Sequence, residues 1–111
     1  MIENYKQTAK LSEESQKVAS KLSAKTPAEA RASLSRELNA LIRDMQNSKA
    51  DVSSLLDEIN ALKDEYDNEK SKLDQGKSSL AGDKGWLKGM HSRMNVIKSN
   101  YQDVEDEYKT D

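Results

Sequence analysis

The sequence predicts an all-α fold: an antiparallel coiled-coil helical hairpin with an additional N-terminal helix, in an elongated three-helix arrangement. Three observations predict it. Between Thr26 and Leu73 an apolar or aromatic residue recurs every seventh position, at Leu38, Met45, Val52, Ile59, Tyr66 and Leu73, with Leu34, Leu41, Leu55 and Leu62 interleaved. Such spacing is the a/d seam of a coiled coil. From Leu87 onward, Met90, Met94, Ile97, Tyr101, Val104 and Tyr108 alternate steps of three and four without a fault. The composition, 34% charged and 34% hydrophobic with no Phe, is too polar for a thick core and suits helices buried along narrow stripes. Strand-like alternation is absent.

The chain of 111 residues predicts a single helical domain spanning 1–111. A first helix is expected over about 2–24, where Ile2, Tyr5, Ala9, Leu11, Val18 and Leu22 fall roughly on one side. Ser12, Ser15 and Thr8 interrupt that stripe, so the segment needs a surface to dock on. The short break at 23–25 makes it an antiparallel neighbour of the next helix.

The second helix is expected over about 27–74. Thr26-Pro27-Ala28-Glu29 supplies an N-cap threonine, a proline at the first helical position and a glutamate able to reach back to the cap. Gly76 is placed to end the helix in the left-handed conformation. One continuous helix of about 48 residues would span roughly 70 Å. Its soft place is Gln46-Asn47-Ser48-Lys49, where Ser48 occupies a d position and a bend or break would fold the rod on itself.

Gly76, Gly82 and small polar residues mark a loop over 75–84, with Asp83 able to cap the third helix, expected over about 85–109, by accepting from Gly85 or Trp86. If the loop reverses the chain, residues whose numbers sum to about 160 face each other. Lys88 to Lys98 then lie beside the acid-rich Asp57 to Glu69, which favours an antiparallel register. The third helix ends on Asp103, Glu105, Asp106 and Glu107, the wrong sign for a helix C-terminus, so its last turn needs a basic partner to stay wound.

Charge and composition exclude several classes of function. Eighteen basic and 20 acidic residues leave a net charge of −2 and no field that would draw nucleic acid. No cysteine means no disulfide, thiolate nucleophile or cysteine-ligated zinc. No window is apolar enough for a membrane span, and the start Met1-Ile2-Glu3-Asn4-Tyr5-Lys6 lacks a signal-peptide core. The expected compartment is the cytoplasm, with leaderless secretion left open.

No motif carries chemistry. Gly76-Lys77-Ser78 ends like a phosphate-binding loop, but Ser71 stands where the earlier glycine is required, and the segment before it is helical. His91 is the only histidine and reads as structural or solvated. The acidic runs lack calcium-loop spacing. No catalytic residue, metal site or cofactor is expected.

Trp86, flanked by Gly85 and Gly89, reads first as an aromatic lid on the hairpin, with the glycines letting the second helix approach, and second as an interface anchor. Met90 and Met94 read as core first and adaptable binding surface second. Trp86 near Gly89 after a turn, and the late Tyr101-Gln102-Asp103-Val104-Glu105, resemble the Trp-x-Gly turn and Tyr-x-x-x-Asp/Glu tail of small helical-hairpin proteins exported by type VII secretion. The spacing here is Trp-x-x-Gly, and Trp86 lies too late for two equal arms. The resemblance implies export, with a second helical protein as partner.

The functional expectation is a non-enzymatic helical interaction protein, a subunit, adaptor or scaffold that buries its seam against itself or another chain as a homo- or hetero-oligomer. The partner-binding surface is expected at Trp86 with Met90, at an uncovered stretch of Leu34, Leu38, Leu41 and Met45, and at the acidic tail with Glu105 and Glu107. The alternatives are the type VII-like exported protein and a helical holdase for an aggregation-prone client.

Overall fold

The computed structural model describes Lys17 and residues 25–110. The helix expected over 2–24 therefore lies, apart from Lys17, outside the described residues. Among these the chain forms three α-helices and no strand: α1 (Pro27–Gln46), α2 (Ser53–Asp74) and α3 (Lys84–Thr110), with a short 3-10 turn at Leu80–Gly82. The all-α three-helix architecture follows the sequence pattern. Its helices do not divide as expected.

The single 27–74 helix breaks after Gln46 and resumes at Ser53. At the break, polar side chains hold backbone groups that a continuous helix would have paired. Ser48 Oγ accepts from Ala50 N at 3.1 Å and donates to the Glu105 carboxylate. Asp51 Oδ1 accepts from the N–H and hydroxyl of Ser53 at 3.3 and 2.5 Å, which holds its carboxyl below the usual range. Short polar side chains bonding to nearby backbone are the known competitors of helix. The chain then reverses, and the two halves of the predicted seam face each other.

The other helix ends follow local chemistry. Thr26 Oγ1 accepts from Glu29 N at 3.2 Å while the Glu29 carboxylate accepts from Thr26 N at 3.3 Å, a complete capping box. At the end of α2, Gly76 adopts φ +71°, and Gly76 N and Lys77 N donate back to Leu73 O and Lys72 O, the paired bonds of a Schellman stop. Asp83 Oδ1 caps α3 by accepting from Gly85 N at 2.7 Å and Trp86 N at 3.4 Å.

Cross-helix contacts fix the packing. Arg93 Nη1 meets Glu65 at 3.1 Å, close to the register expected for antiparallel α2 and α3. Tyr101 Oη donates to Asp44 O near the end of α1, and His91 Nε2 meets Ala30 O near its start, so α1 and α3 run parallel. The bundle thus has a lower end, carrying the 75–83 turn, and an upper end, where the 47–52 loop meets the last turns of α3.

The seam closes within one chain. Leu34, Leu38, Leu41, Met45, Val52, Ile59, Leu62 and Tyr66 are between 0% and 6% exposed, packed with Leu87, Met90 and Met94. Burying a Leu or Ile side chain is worth about 1.5–3 kcal/mol. This closure is the main stabilising term, and a single copy supplies it.

Candidate functional site

Burial sorts the residues singled out by sequence. Leu34, Leu38, Leu41, Met45 and Met90 are core, so the expected open stretch is not available to a partner while the bundle is folded. The reason is geometric: a heptad stripe on each side of the 47–52 loop finds its complement on the other side. Trp86 is partly buried and stacks on Tyr66, with ring centroids 6.4 Å apart and planes 13° off parallel. Tyr66 Oη donates to Arg31 O at 3.3 Å, which joins the stack to α1. Trp86 therefore packs on the core through this stack. The neighbouring glycines have another reason than close approach: a Cβ on Gly89 would meet nothing within 4 Å, and one on Gly85 would meet only its own capping residue Asp83.

His91 is 5% exposed between α1 and α3. Its Nε2 lies 3.1 Å from Ala30 O and its Nδ1 3.7 Å from Glu37 Oε2. The carbonyl contact requires Nε2–H, leaving Nδ1 unprotonated in the neutral ring. Desolvation lowers the imidazole pKa, against the opposing pull of the Ala30 carbonyl and Glu37. Nε2 thus ties α3 to α1, whereas the unprotonated Nδ1, 3.7 Å from the Glu37 carboxylate, donates nothing to it. Among the described residues no three His, Asp or Glu side chains gather to hold a metal ion, and no helix is long and apolar enough to cross a membrane.

The upper end is different. Met94 is buried, but the same stripe is only half-buried at Ile97, Tyr101 and Val104, and Tyr108 is 51% exposed. Tyr101 and Tyr108, two turns apart on α3, line an open groove with Asp44, Ser48, Lys49, Glu105 and Lys109. Ser48 and Glu105 pin the 47–52 loop to α3 at its floor. Burial, reinforced by Glu105, raises the Tyr101 phenol, which stays neutral and donates to Asp44 O at 3.2 Å. Tyr101 and Glu105, the residues of the Tyr-x-x-x-Glu resemblance, are used here inside the bundle. Glu107 is exposed on the same helix end. Sequence reading named Glu105 for this surface but missed Tyr108, Asp44 and Lys49; the signal was Tyr108 as the last member of the stripe, beyond the reach of a partner residue.

These features define a class: a small antiparallel three-helix bundle, closed along its core and open in an aromatic, mixed-charge groove at one end. No family model, curated protein or solved structure matches the chain.

Proposed function

We propose that the protein is a non-enzymatic helical interaction module, a subunit or adaptor, and that it engages a polypeptide partner through the groove at the upper end of α3 rather than through its heptad seam. The observation that carries this reading is Tyr108, half-exposed beside Tyr101 and between charges of both signs, Asp44 and Glu105 against Lys49 and Lys109. Tyrosines anchor interfaces because they contribute a large rigid apolar face with a polar tip, and a rim of mixed charge sets register without demanding a strongly charged partner. The residues around them are held by intramolecular bonds and form a fixed platform.

The test is purification from the native source with the mass and stoichiometry of any complex measured, using wild type, Tyr108→Glu and Leu80→Glu. Leu80 is 39% exposed at the opposite end and serves as the control. One partner at fixed stoichiometry, retained by Leu80→Glu and lost by Tyr108→Glu with unchanged helicity, supports the proposal. Identical behaviour of all three proteins refutes it.

A further inference from the structure

The two ends of the bundle carry opposite charge, which the net value of −2 conceals. The upper end holds Asp44 and Asp51 with Glu105 and its acidic neighbours on α3; the lower end holds Arg31, Lys77, Lys84 and Lys88. At the lower end the carboxylates are taken up internally: Glu69 accepts from Lys72 and the Ser78 hydroxyl, Asp74 from Lys70, and Asp83 caps α3. Among the described residues no carboxylate comes within 4 Å of the Lys77, Lys84 or Lys88 ammonium. Folding does not call for these cations. Lys84 opens α3, whose first turn has no acidic residue, the reverse of what the helix dipole favours. Amid them stands Leu80, 39% exposed on the 3-10 turn; among the described residues the other large apolar side chain open to solvent is Tyr108, at the far end. The Arg31 guanidinium lies against the same turn, 3.7 Å from where a Cβ on Gly82 would stand.

We infer that the lower end docks on an anionic lipid bilayer, with Leu80 entering the headgroup layer and Arg31, Lys77, Lys84 and Lys88 meeting the lipid anions around it. Charge complementarity and shape select this occupant. The body measures 50 × 27 × 25 Å. Its end has a cross-section of roughly 500 Å², short of the about 800 Å² per partner that a stable protein interface buries. A bilayer makes no such demand, because each Lys or Arg brought to its negative surface contributes separately, about fivefold in affinity. Lysine stems also keep their ammonium groups at headgroup level while an apolar side chain beside them goes deeper. The acidic upper end is repelled by the same surface, so the bundle stands on its lower end.

Co-sedimentation of the full-length chain with vesicles of phosphatidylcholine containing about 30% phosphatidylserine, and of phosphatidylcholine alone, tests this. Wild type should bind the anionic vesicles selectively and release as salt is raised. Lys77→Glu with Lys84→Glu should weaken binding at least about tenfold, since two attractive charges become repulsive. Lys84→Glu agrees with the helix dipole, so the variant keeps its fold. Arg36→Glu with Lys98→Glu, the same charge change on exposed positions away from the lower end, should bind nearly as wild type does. An environment-sensitive dye gives the orientation, since no native cysteine competes for the label: on Ser79→Cys beside Leu80 it should brighten with anionic vesicles, and on Glu58→Cys toward the upper end it should not. No selectivity for the anionic vesicles, equal losses in the two double variants, or equal brightening at both dye positions overturns the inference. Vesicle binding abolished by polyglutamate at equal carboxylate concentration also overturns it, because an acidic polypeptide would then be the occupant. None of these outcomes depends on the upper groove binding a partner.

Discussion

Replacing Leu38 by alanine separates a core residue from a docking residue. Leu38 is 0% exposed in the middle of α1. Truncation at such a site removes the transfer energy of the lost carbons and leaves a cavity, about 3–4 kcal/mol in all. A helical bundle of this size has a total stability of roughly 4–13 kcal/mol, so the loss is a large fraction of it. In a domain this small each kcal/mol lowers the Tm by about 4–8 °C, which predicts a fall of roughly 12–30 °C. Thermal unfolding followed by far-UV circular dichroism at two protein concentrations is the assay. If the stripe were instead buried between chains, dilution would lower the wild-type Tm, because subunit association stabilises by mass action. A change below about 1 kcal/mol in Leu38→Ala, or a wild-type Tm that moves with concentration, refutes the enclosed core.

Four further outcomes are expected. Thr26→Ala removes the capping box that starts α1 and should cost about 1 kcal/mol, read as a Tm fall of about 4–8 °C, with the loss localised to residues 26–30 by hydrogen exchange. Gly76→Ala forces a Cβ into φ +71° and should cost about 1–2 kcal/mol in the same assay, although a Cβ there would touch nothing. His91 has its pKa lowered by burial, so the unfolded chain takes up the proton first as pH falls; stability is fully present above about pH 6.5 and is lost below it. Wild type should therefore lose more stability than His91→Asn between about pH 7 and pH 5 in paired denaturant titrations, and equal losses would contradict the buried neutral imidazole. Tyr101→Phe should speed amide exchange in the 47–52 loop while costing about 1 kcal/mol globally, since it deletes the hydroxyl's bond to Asp44 O and its interactions with Glu105 and Ser48 at the floor of the loop.

Local chemistry was legible in the sequence wherever a few neighbouring residues decide the outcome. The Thr26 box and the Asp83 cap each depend on a side chain within three residues of the groups it satisfies, and the Gly76 stop on the one residue that takes φ +71° without a Cβ. The break at Ser48 was legible as a soft place and still weighed less than the heptads running through it. Those heptads misled for a physical reason: Met45 and Val52 are seven apart whether helix or loop joins them, and Val52, at the first position before α2, is buried either way. An a/d stripe states how much apolar surface must be covered and is silent on whether the cover comes from the same chain. The candidate surface suffered from the same ambiguity. Leu34, Leu38, Leu41, Met45 and Met90 carried the apolar signal and went to the core, whereas Tyr108 differs from Tyr101 only in lying where the neighbouring helices have ended.

The central claim is that the 27–74 segment folds back at residues 47–52 and shields its own apolar edge. Nitroxide pairs at Ala32→Cys and Ser71→Cys, both exposed positions, measure this directly by electron–electron double resonance. The folded-back chain places them within about two helix diameters, roughly 20–25 Å, in keeping with the Tyr66 to Arg31 bond nearby. A distribution centred near 60 Å, the span of an unbroken helix between those positions, would contradict it.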